Sequence, residues 1–252
     1  MKRGIIILII LFPLIAFSQE IPNKAYKSGE KLVYVVSYGF IDAGRAALNV
    51  IEKEQNGKKY HLAIATGQSI GIANKMFKVL DTYQSIMDAE TGLPVKAIRD
   101  IHEDNYKLYD EVYYNRTNNT VKSERKGVVE VPEGTADILS ALYISRRVKF
   151  NDLKKGDVVK INTYFDGEVF PLEIRYYGNE TIKTAFGKIN CMKFSPVVEP
   201  GRIFDSPDDV SIWISNDFNK IPVRIQFDLI IGSVKCDLKE YENLRNNFAF
   251  LE

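Results

Sequence analysis

The stretch Lys31–Val50, KLVYVVSYGFIDAGRAALNV, shows the pattern on which the fold depends. Apolar residues alternate with polar or smaller ones, so they share one face of an extended strand. On the first strand these residues are Leu32, Tyr34, Val36 and Tyr38, and on the second they are Ala46, Leu48 and Val50. We interpret Asp42-Ala43-Gly44 as the turn between the two strands. One apolar face and one polar face are typical of an antiparallel sheet that covers a core on one side.

The same alternation recurs at Tyr106–Tyr114 and at Phe170–Tyr176. Turn signals separate the strands at hairpin spacing. They are Asn56-Gly57, Asn118-Asn119, Asp166-Gly167, Gly178-Asn179, Asn216-Asp217 and Gly232-Ser233. The pattern predicts about twelve strands, more than one open sheet carries without curling or splitting. We therefore predict a mainly β fold, with an antiparallel curled sheet that forms a barrel, a half-barrel or a sandwich.

One amphipathic helix is predicted near the midpoint of the chain, at Ala136–Val148. Its apolar residues repeat at helical spacing, and Thr135 or Asp137 can cap its start. Arg146 and Arg147 lie in the last turn, where cations interact favourably with the helix dipole. A single helix among strands is expected to cover one sheet face or to plug an open end.

The first eighteen residues are typical of a secretory signal peptide. Lys2 and Arg3 precede an apolar stretch, Ile5–Phe17, that is shorter than the roughly 20 residues of a membrane-spanning helix. Small residues at Ala16 and Ser18 fit the positions that a signal peptidase reads. We predict cleavage after Ser18, which leaves residues 19–252 as a single β-rich domain, exported and soluble.

The charge balance argues against nucleic-acid binding. The whole chain has 34 Lys and Arg against 33 Asp and Glu, a formal charge of +1. Loss of Lys2 and Arg3 with the signal peptide leaves 32 against 33, or −1. Such a surface supplies no large positive field for a phosphate backbone.

No catalytic constellation is visible in the sequence, and no cofactor motif is present. The chain lacks the Gly-Xaa-Ser-Xaa-Gly elbow of serine hydrolases and the glycine-rich loop that binds phosphates. The acidic stretch with Asp205, Asp208 and Asp209 could supply oxygen ligands to calcium, paired carboxylates for glycoside hydrolysis, or simply a solvated turn. We expect a protein that is not an enzyme.

Two further sets of residues give binding and redox hypotheses. Aromatic residues suit the lining of an apolar pocket as well as cross-strand packing. The candidates for ligand contact are Tyr38, Phe40, Tyr143 and Trp213. Cys191 and Cys236 are the only cysteines, and in an exported chain they either form a disulfide or remain two buried free thiols.

In chain order, several segments resemble a family of exported bacterial proteins catalogued as domain of unknown function 3108. The segments are GEKL (29–32), YGFIDAG (38–44), DILSALY (137–143), GKINC (187–191) and IWISND (212–217). The resemblance runs from about Gly29 to Tyr241. It implies a Gram-negative envelope protein with a β-rich, barrel-like fold, and it implies no catalytic residues.

Three functional hypotheses follow. The leading one is a periplasmic protein that binds an apolar or amphipathic ligand such as a lipid on its curled sheet. The second is a protein that binds or acts on envelope polysaccharide, with Trp213 for stacking and Asp205, Asp208 or Asp209 for chemistry. The third is an envelope-assembly component that recognises another protein by strand addition at a sheet edge.

Overall fold

One antiparallel sheet of fourteen strands dominates the molecule. The computed structural model describes residues 22–150, 152–197, 209–229, 232–248 and 250. The predicted signal peptide lies outside these residues. The fold class predicted from the sequence is confirmed, although the described residues form fourteen strands instead of about twelve.

The N-terminal half contributes eight strands and a short helix. They are β1 (Lys31–Tyr38), β2 (Ile41–Gln55), β3 (Lys58–Ser69), α1 (Gly71–Met76), β4 (Leu80–Asp88), β5 (Pro94–Glu103), β6 (Tyr106–Asn115), β7 (Thr120–Ser123) and β8 (Gly127–Glu130). The four-residue strands β7 and β8 are too short for alternation to be a strong signal.

The C-terminal half contributes a helix and six strands. They are α2 (Ile138–Arg147), β9 (Val158–Phe165), β10 (Glu168–Thr184), β11 (Gly187–Pro196), β12 (Val210–Ser215), β13 (Pro222–Asp228) and β14 (Ser233–Glu242). Neither described helix is long and apolar enough to cross a membrane.

The strand order explains how the sheet curls. It runs β8-β7-β6-β5-β4-β3-β2-β1-β14-β13-β12-β11-β10-β9, so β8 and β9 are the two edges and the sheet is not closed. Nevertheless Tyr164 of β9 shares a core cluster with Val112 of β6 and Val121 of β7. Strands near opposite edges can share a core only if the sheet bends round, and this bend makes the barrel-like shape.

The segment before α2 covers part of the β9 edge. Ala136 pairs with Thr163 in a parallel bridge, with its amide nitrogen donating to the Asn162 carbonyl at 2.9 Å. The Asp166 carboxylate beyond β9 accepts from the Arg99 guanidinium of β5 at 2.6 Å. Chain segments and side chains therefore bridge the two edges without a continuous strand ladder.

The helix predicted at Ala136–Val148 is present as α2, two residues shorter at its start and one at its end. Asp137 is the N-cap and forms a capping box with Ser140. Leu139 and Tyr143 pack into a core cluster with Val50, Ala63 and Met87 of strands β2 to β4. The helix thus fills the concave side of the sheet.

Two predicted turns are bulges inside strands. The β1–β2 turn lies at Gly39-Phe40, and the predicted turn at Asp42-Ala43-Gly44 falls within β2, where the register shifts. Likewise, Gly178-Asn179 falls within β10, where the register shifts between Tyr176 and Gly178. Glycine marks bulges as well as turns, and its position in the sequence does not separate the two.

Antiparallel alternation gives the sheet two ends. The connection between β1 and β2, the α1 segment and the connection between β13 and β14 lie at one end, called here the upper end. The segment before β1, the turn between β4 and β5, and the loop between β12 and β13 lie at the lower end. The C-terminal end of α2 also reaches the lower end.

Candidate functional site: an apolar rim at the upper end

Large apolar side chains are exposed at the upper end of the sheet. They come from three neighbouring connections and the strand residues that border them. We call these residues the apolar rim: Tyr38, Phe40, Ile41, Ile72, Met76, Phe77, Leu80 and Leu229. Their exposed fractions range from 43% to 107%. Soluble monomers seldom expose apolar side chains in such a group, so the rim is a candidate contact surface.

Backbone hydrogen bonds hold the rim connections next to each other. The amide of Ile70 donates to the carbonyl of Ala43 at 2.9 Å, which joins the start of α1 to β2. The amide of Gly39 donates to the carbonyl of Ser233 at 3.4 Å, which joins the β1–β2 turn to β14. The turn itself needs Gly39, whose φ of 57° lies in the left-handed region. The adjoining Phe40 is left fully exposed.

Helix α1 carries the most unusual part of the rim. None of its six residues is buried, and Ile72 and Met76 are 67% and 80% exposed. Helix α1 contains one cation, Lys75, and no acidic residue in its first turn. Lys78 follows two residues after the helix, and its amide nitrogen donates to the Asp104 carboxylate at 2.9 Å. The segment therefore combines exposed apolar side chains with lysines.

The lower end is built in the opposite way, from buried charges. The Arg146 guanidinium donates to both Glu30 carboxylate oxygens, at 2.6 and 2.8 Å, and both side chains are 1% exposed. The Nε of Arg146 donates to the Asn219 carbonyl at 3.0 Å. Burial lowers the pKa of Arg146, but attraction to Glu30 outweighs it, so the pKa is raised.

Arg147 binds a second buried partner. Its Nε and one terminal nitrogen donate to the Tyr26 hydroxyl at 2.9 and 2.6 Å, and the other terminal nitrogen donates to the Glu90 carbonyl at 2.8 Å. Burial raises the pKa of Tyr26, although Arg147 opposes the shift. We call Tyr26, Glu30, Arg146, Arg147 and Asn219 the buried clamp. It joins α2 to the segment before β1 and to the loop between β12 and β13.

The start of α2 lies beside a small cavity. The Asp137 carboxylate accepts hydrogen bonds from the hydroxyls of Ser85 and Ser140 at 2.6 and 2.7 Å, and burial raises its pKa. The adjacent cavity is about 30 Å³ and is lined partly by Asp137, Tyr114 and Tyr164. The Tyr114 hydroxyl has no hydrogen-bond partner among the described residues. This volume suits about one water molecule.

The four aromatic ligand candidates do not come together. Tyr38 and Phe40 belong to the rim, whereas Tyr143 is 1% exposed and packs in the core under α2. Trp213 is 6% exposed in a different core cluster, and its indole nitrogen donates to the Glu180 carboxylate at 3.1 Å. Only the first two side chains are accessible to a ligand.

The metal candidates lie mostly outside the described residues. Asp205 and Asp208 are not described, and the carbonyl of Asp209 accepts from the Asp228 amide at 2.7 Å. Within the described ranges, no group of three acidic, His or Cys residues could hold a metal ion.

Cys191 and Cys236 are both free thiols, the first buried and the second partly buried. Burial raises the pKa of Cys191 to about 12.

The sequence interpretation missed the buried clamp. The sequence assigns Arg146 and Arg147 only an interaction with the helix dipole, but in the structure they are 1% and 4% exposed and bind buried partners. His61 is also buried at this end, at 6% exposed, and its ring packs edge-on against Tyr26 with the ring centroids 5.4 Å apart. The available signal was a pair of adjacent arginines in a predicted amphipathic helix. Their partners are far away in the chain, with Glu30 116 residues from Arg146 and Tyr26 121 residues from Arg147.

Solved structures with a similar fold come from several bacteria. The fold is similar to a beta-barrel-like protein of domain of unknown function DUF1849 from Brucella abortus, with 10% identity and a TM-score of 0.58 over 87% of this chain and 99% of that one. A protein from Bacteroides fragilis, described as having a YmcC-like fold, aligns with 12% identity and a TM-score of 0.39 over 88% of this chain and 98% of that one. The match to the Brucella abortus structure, at 10% identity, shows a likeness of fold alone.

The comparison with curated proteins finds no match. A family model, described as protein of unknown function (DUF3108), matches residues 33–239. This match spans most of the chain, including every strand from β2 to β13 and both helices. The resemblance drawn from the sequence segments is thereby confirmed, and the chain belongs to the DUF3108 family.

Proposed function

We propose that this chain is an exported, non-enzymatic protein of the Gram-negative periplasm that binds lipid through its apolar rim. The observation that carries the proposal is the grouping of the eight exposed rim residues at one end of the sheet. The signal-peptide pattern at residues 1–18 supports export.

The size of the cavities supports binding on the surface instead of inside the sheet. Pockets for small-molecule ligands typically have volumes of about 300–1,000 Å³, whereas the cavity beside α2 has about 30 Å³. A more open pocket of about 260 Å³ lies on strands β10 to β12. Its described lining is Tyr177, Lys193, Ser195 and Ser211, whose polar groups do not suit an acyl chain.

The state of the buried charged groups supports a role other than catalysis. Glu30 and Arg146 satisfy each other, and the Asp137 carboxylate accepts from two hydroxyls and two backbone amides while it caps α2. Each of these groups has a structural task. A general acid or base would need an approach path from a substrate, and these side chains are at most 8% exposed.

Binding of a monomeric fluorescent fatty acid tests the proposal. We expect saturable binding by the purified protein and a loss of at least about tenfold in affinity for the variant Phe40→Ser/Met76→Ser, since each substitution removes a large apolar contact. The matched control is Phe218→Ser, which changes an aromatic residue that is 72% exposed in the loop at the lower end. Absence of binding, or equal loss in the control, would refute the proposal.

A second candidate function, recognition of a protein by strand addition, has one observation in its favour. Strand β8 is a sheet edge, and Val128 on it is 66% exposed. An edge of four residues offers few hydrogen bonds to a partner strand, so this candidate ranks second. Capture of an envelope protein that is lost in Val129→Pro, while the rim variant retains it, would reverse the ranking.

A further inference from the structure

We infer that the cavity beside the start of α2 binds one water molecule, which joins the Tyr114 and Tyr164 hydroxyls across the open part of the sheet. Tyr114 lies on β6, two strands from the β8 edge, and Tyr164 lies on β9, the other edge. We call the unpaired region between β8 and β9 the seam. The inference does not depend on lipid binding at the apolar rim.

Two buried hydroxyls at the cavity lack a hydrogen-bond partner. Tyr114 is 7% exposed and Tyr164 is 2% exposed, and both residues line the cavity. Neither hydroxyl has a partner among the described residues. Buried polar groups in native proteins are nearly always bonded, either to the protein or to ordered water. The two tyrosines therefore point to a partner that the described part of the chain does not supply.

The Ser123 hydroxyl is close to Tyr164 but is already fully used. Burial raises the pKa of Tyr164, and Ser123 opposes the shift. The Ser123 hydroxyl donates to the Asp110 carboxylate at 2.9 Å. It accepts from the backbone amides of Arg125 and Lys126 at 3.1 and 3.0 Å. A hydroxyl offers one hydrogen and two lone pairs, so Ser123 has no capacity left for Tyr164.

The Asp137 carboxylate is in the same state with respect to Tyr114. Burial raises the pKa of Tyr114 well above its usual value, and Asp137 adds to the shift. One oxygen of Asp137 accepts from the amides of Leu139 and Ser140 at 2.9 and 3.0 Å. The other oxygen accepts from the hydroxyls of Ser85 and Ser140 at 2.6 and 2.7 Å. These four bonds fill the lone-pair sites of a carboxylate, so Asp137 does not accept from Tyr114.

The size and the lining of the cavity fit water. The cavity is about 30 Å³, and a water molecule needs at least about 10–15 Å³ and two polar partners. An apolar molecule would contact Val112 and Leu139 in the lining but would leave both hydroxyls unbonded. An ion is not needed for charge balance, because Arg99 of the lining is paired with Asp166 at 2.6 Å and Asp137 accepts four hydrogen bonds.

The position of the two tyrosines gives this water a role in the fold. Tyr114 and Tyr164 belong to one core cluster, and Tyr164 influences the pKa of Tyr114, so one small molecule can reach both hydroxyls. The sheet has no strand ladder across the seam. A water bonded to both tyrosines supplies a buried bridge there, beside the backbone contact between Ala136 and β9.

Single substitutions to phenylalanine test the site by the sign of their effect on stability. Tyr114→Phe and Tyr164→Phe should each raise the unfolding equilibrium constant about two- to tenfold, because each removes a hydrogen bond to water. If the hydroxyls had no partner, both substitutions would lower this constant, because they would remove an unsatisfied buried group. Urea denaturation measures the constant, and a lower value would overturn the inference. Tyr106→Phe is the control, since Tyr106 is 53% exposed and should change the constant by no more than about twofold.

A double-mutant cycle tests whether one water serves both hydroxyls. Loss of one hydroxyl weakens the binding of a shared water, so the second loss should cost less than it does alone. We expect the change for Tyr114→Phe/Tyr164→Phe to fall below the product of the two single changes by more than about twofold. Agreement with the product within about twofold would show two separate partners and would overturn the bridge.

A crystal structure of the mature protein identifies the occupant directly. We expect one water within about 2.5–3.0 Å of both hydroxyl oxygens. An empty cavity, or density for a larger molecule, would contradict the inference. The double variant leaves the apolar rim intact, so its affinity for the fluorescent fatty acid should equal that of the wild type. Failure of the water site and failure of lipid binding are therefore separate results.

Discussion

The two ends of the sheet differ in which side chains they bury: the lower end buries charged side chains, and the upper end exposes apolar ones. At the lower end, Glu30 and Arg146 are almost fully buried and bind each other. At the upper end, Phe40 and Met76 are exposed to solvent. Burial of the two charges would be costly without a partner, and each supplies the partner of the other. The exposed rings and chains of Phe40 and Met76 are in contact with solvent instead.

This difference separates residues that the fold requires from residues that it tolerates. A buried ion pair is a weak source of stability in total, yet the loss of one member leaves a charge without water or a counter-ion. An exposed apolar side chain loses nothing on unfolding, since it is hydrated in both states. Loss of a buried charge at the lower end should therefore lower the free energy of unfolding. Loss of an exposed apolar side chain at the upper end should leave it nearly unchanged and affect binding instead.

The largest expected effect is the loss of Arg146. Arg146→Ala should destabilise the protein by about 3–5 kcal/mol, because the Glu30 carboxylate stays buried without a counter-ion. Urea denaturation followed by tryptophan fluorescence measures the change. The double variant Glu30→Leu/Arg146→Met should recover most of the loss, since apolar groups of similar volume replace the pair. If the double variant is as unstable as Arg146→Ala, lost packing and not the unpaired charge is the cause.

Removal of the Tyr26 hydroxyl should have a smaller effect. Tyr26→Phe keeps the ring against Arg147 but removes the acceptor of two of its hydrogen bonds. We expect a loss of about 1–3 kcal/mol in unfolding free energy, the cost of leaving buried donors unsatisfied. Tyr109→Phe serves as the control, because Tyr109 is 54% exposed and its hydroxyl bonds the Glu111 carboxylate on the same strand, β6. A change equal to the control would show that Arg147 finds other acceptors.

His61 should give the lower end a dependence on pH. Burial, and then the nearby charge of Arg147, lowers its pKa in the folded protein. The unfolded chain therefore binds more protons below about pH 6.5, so stability falls as the pH drops below that value and is retained above it. Unfolding midpoints of the wild type and His61→Leu between pH 7.5 and 5.5 measure the effect. The variant should have the shallower slope, and equal slopes would contradict the assignment.

The sequence predicted the sheet better than it predicted the buried clamp, for a physical reason. The tendency to form an extended strand at β1 is a local property, as is the cap at Asp137, and both elements are present where expected. The strict alternation predicted for β1 is not, because Leu32, Val33 and Tyr34 are all buried while Tyr38 is exposed. The pairing of Arg146 with Glu30 depends on segments far apart in the chain, and no local pattern encodes it. The buried position of Trp213 has the same origin, since its partner Glu180 lies on another strand.

The glycine positions show a second limit of prediction from the sequence. Gly39 and Gly44 both lie between predicted strands, but one makes the turn and the other lies beside a bulge. Only the register between β1 and β2 distinguishes them. The choice matters for the rim, because the turn at Gly39 is what leaves Phe40 fully exposed.

The smallest expected change in stability is at the rim, and it gives the sharpest contrast between the two ends. Phe40→Ser should alter the unfolding free energy by no more than about 0.5 kcal/mol, because the ring contributes little to the core. Urea denaturation of this variant, with Arg146→Ala beside it, measures the contrast directly. A loss of stability as large as that of a core substitution would mean that Phe40 packs against the protein in solution. If Phe40→Ser leaves the unfolding free energy unchanged but removes lipid binding, the exposed ring does not contribute to folding. Its role is then contact with another molecule.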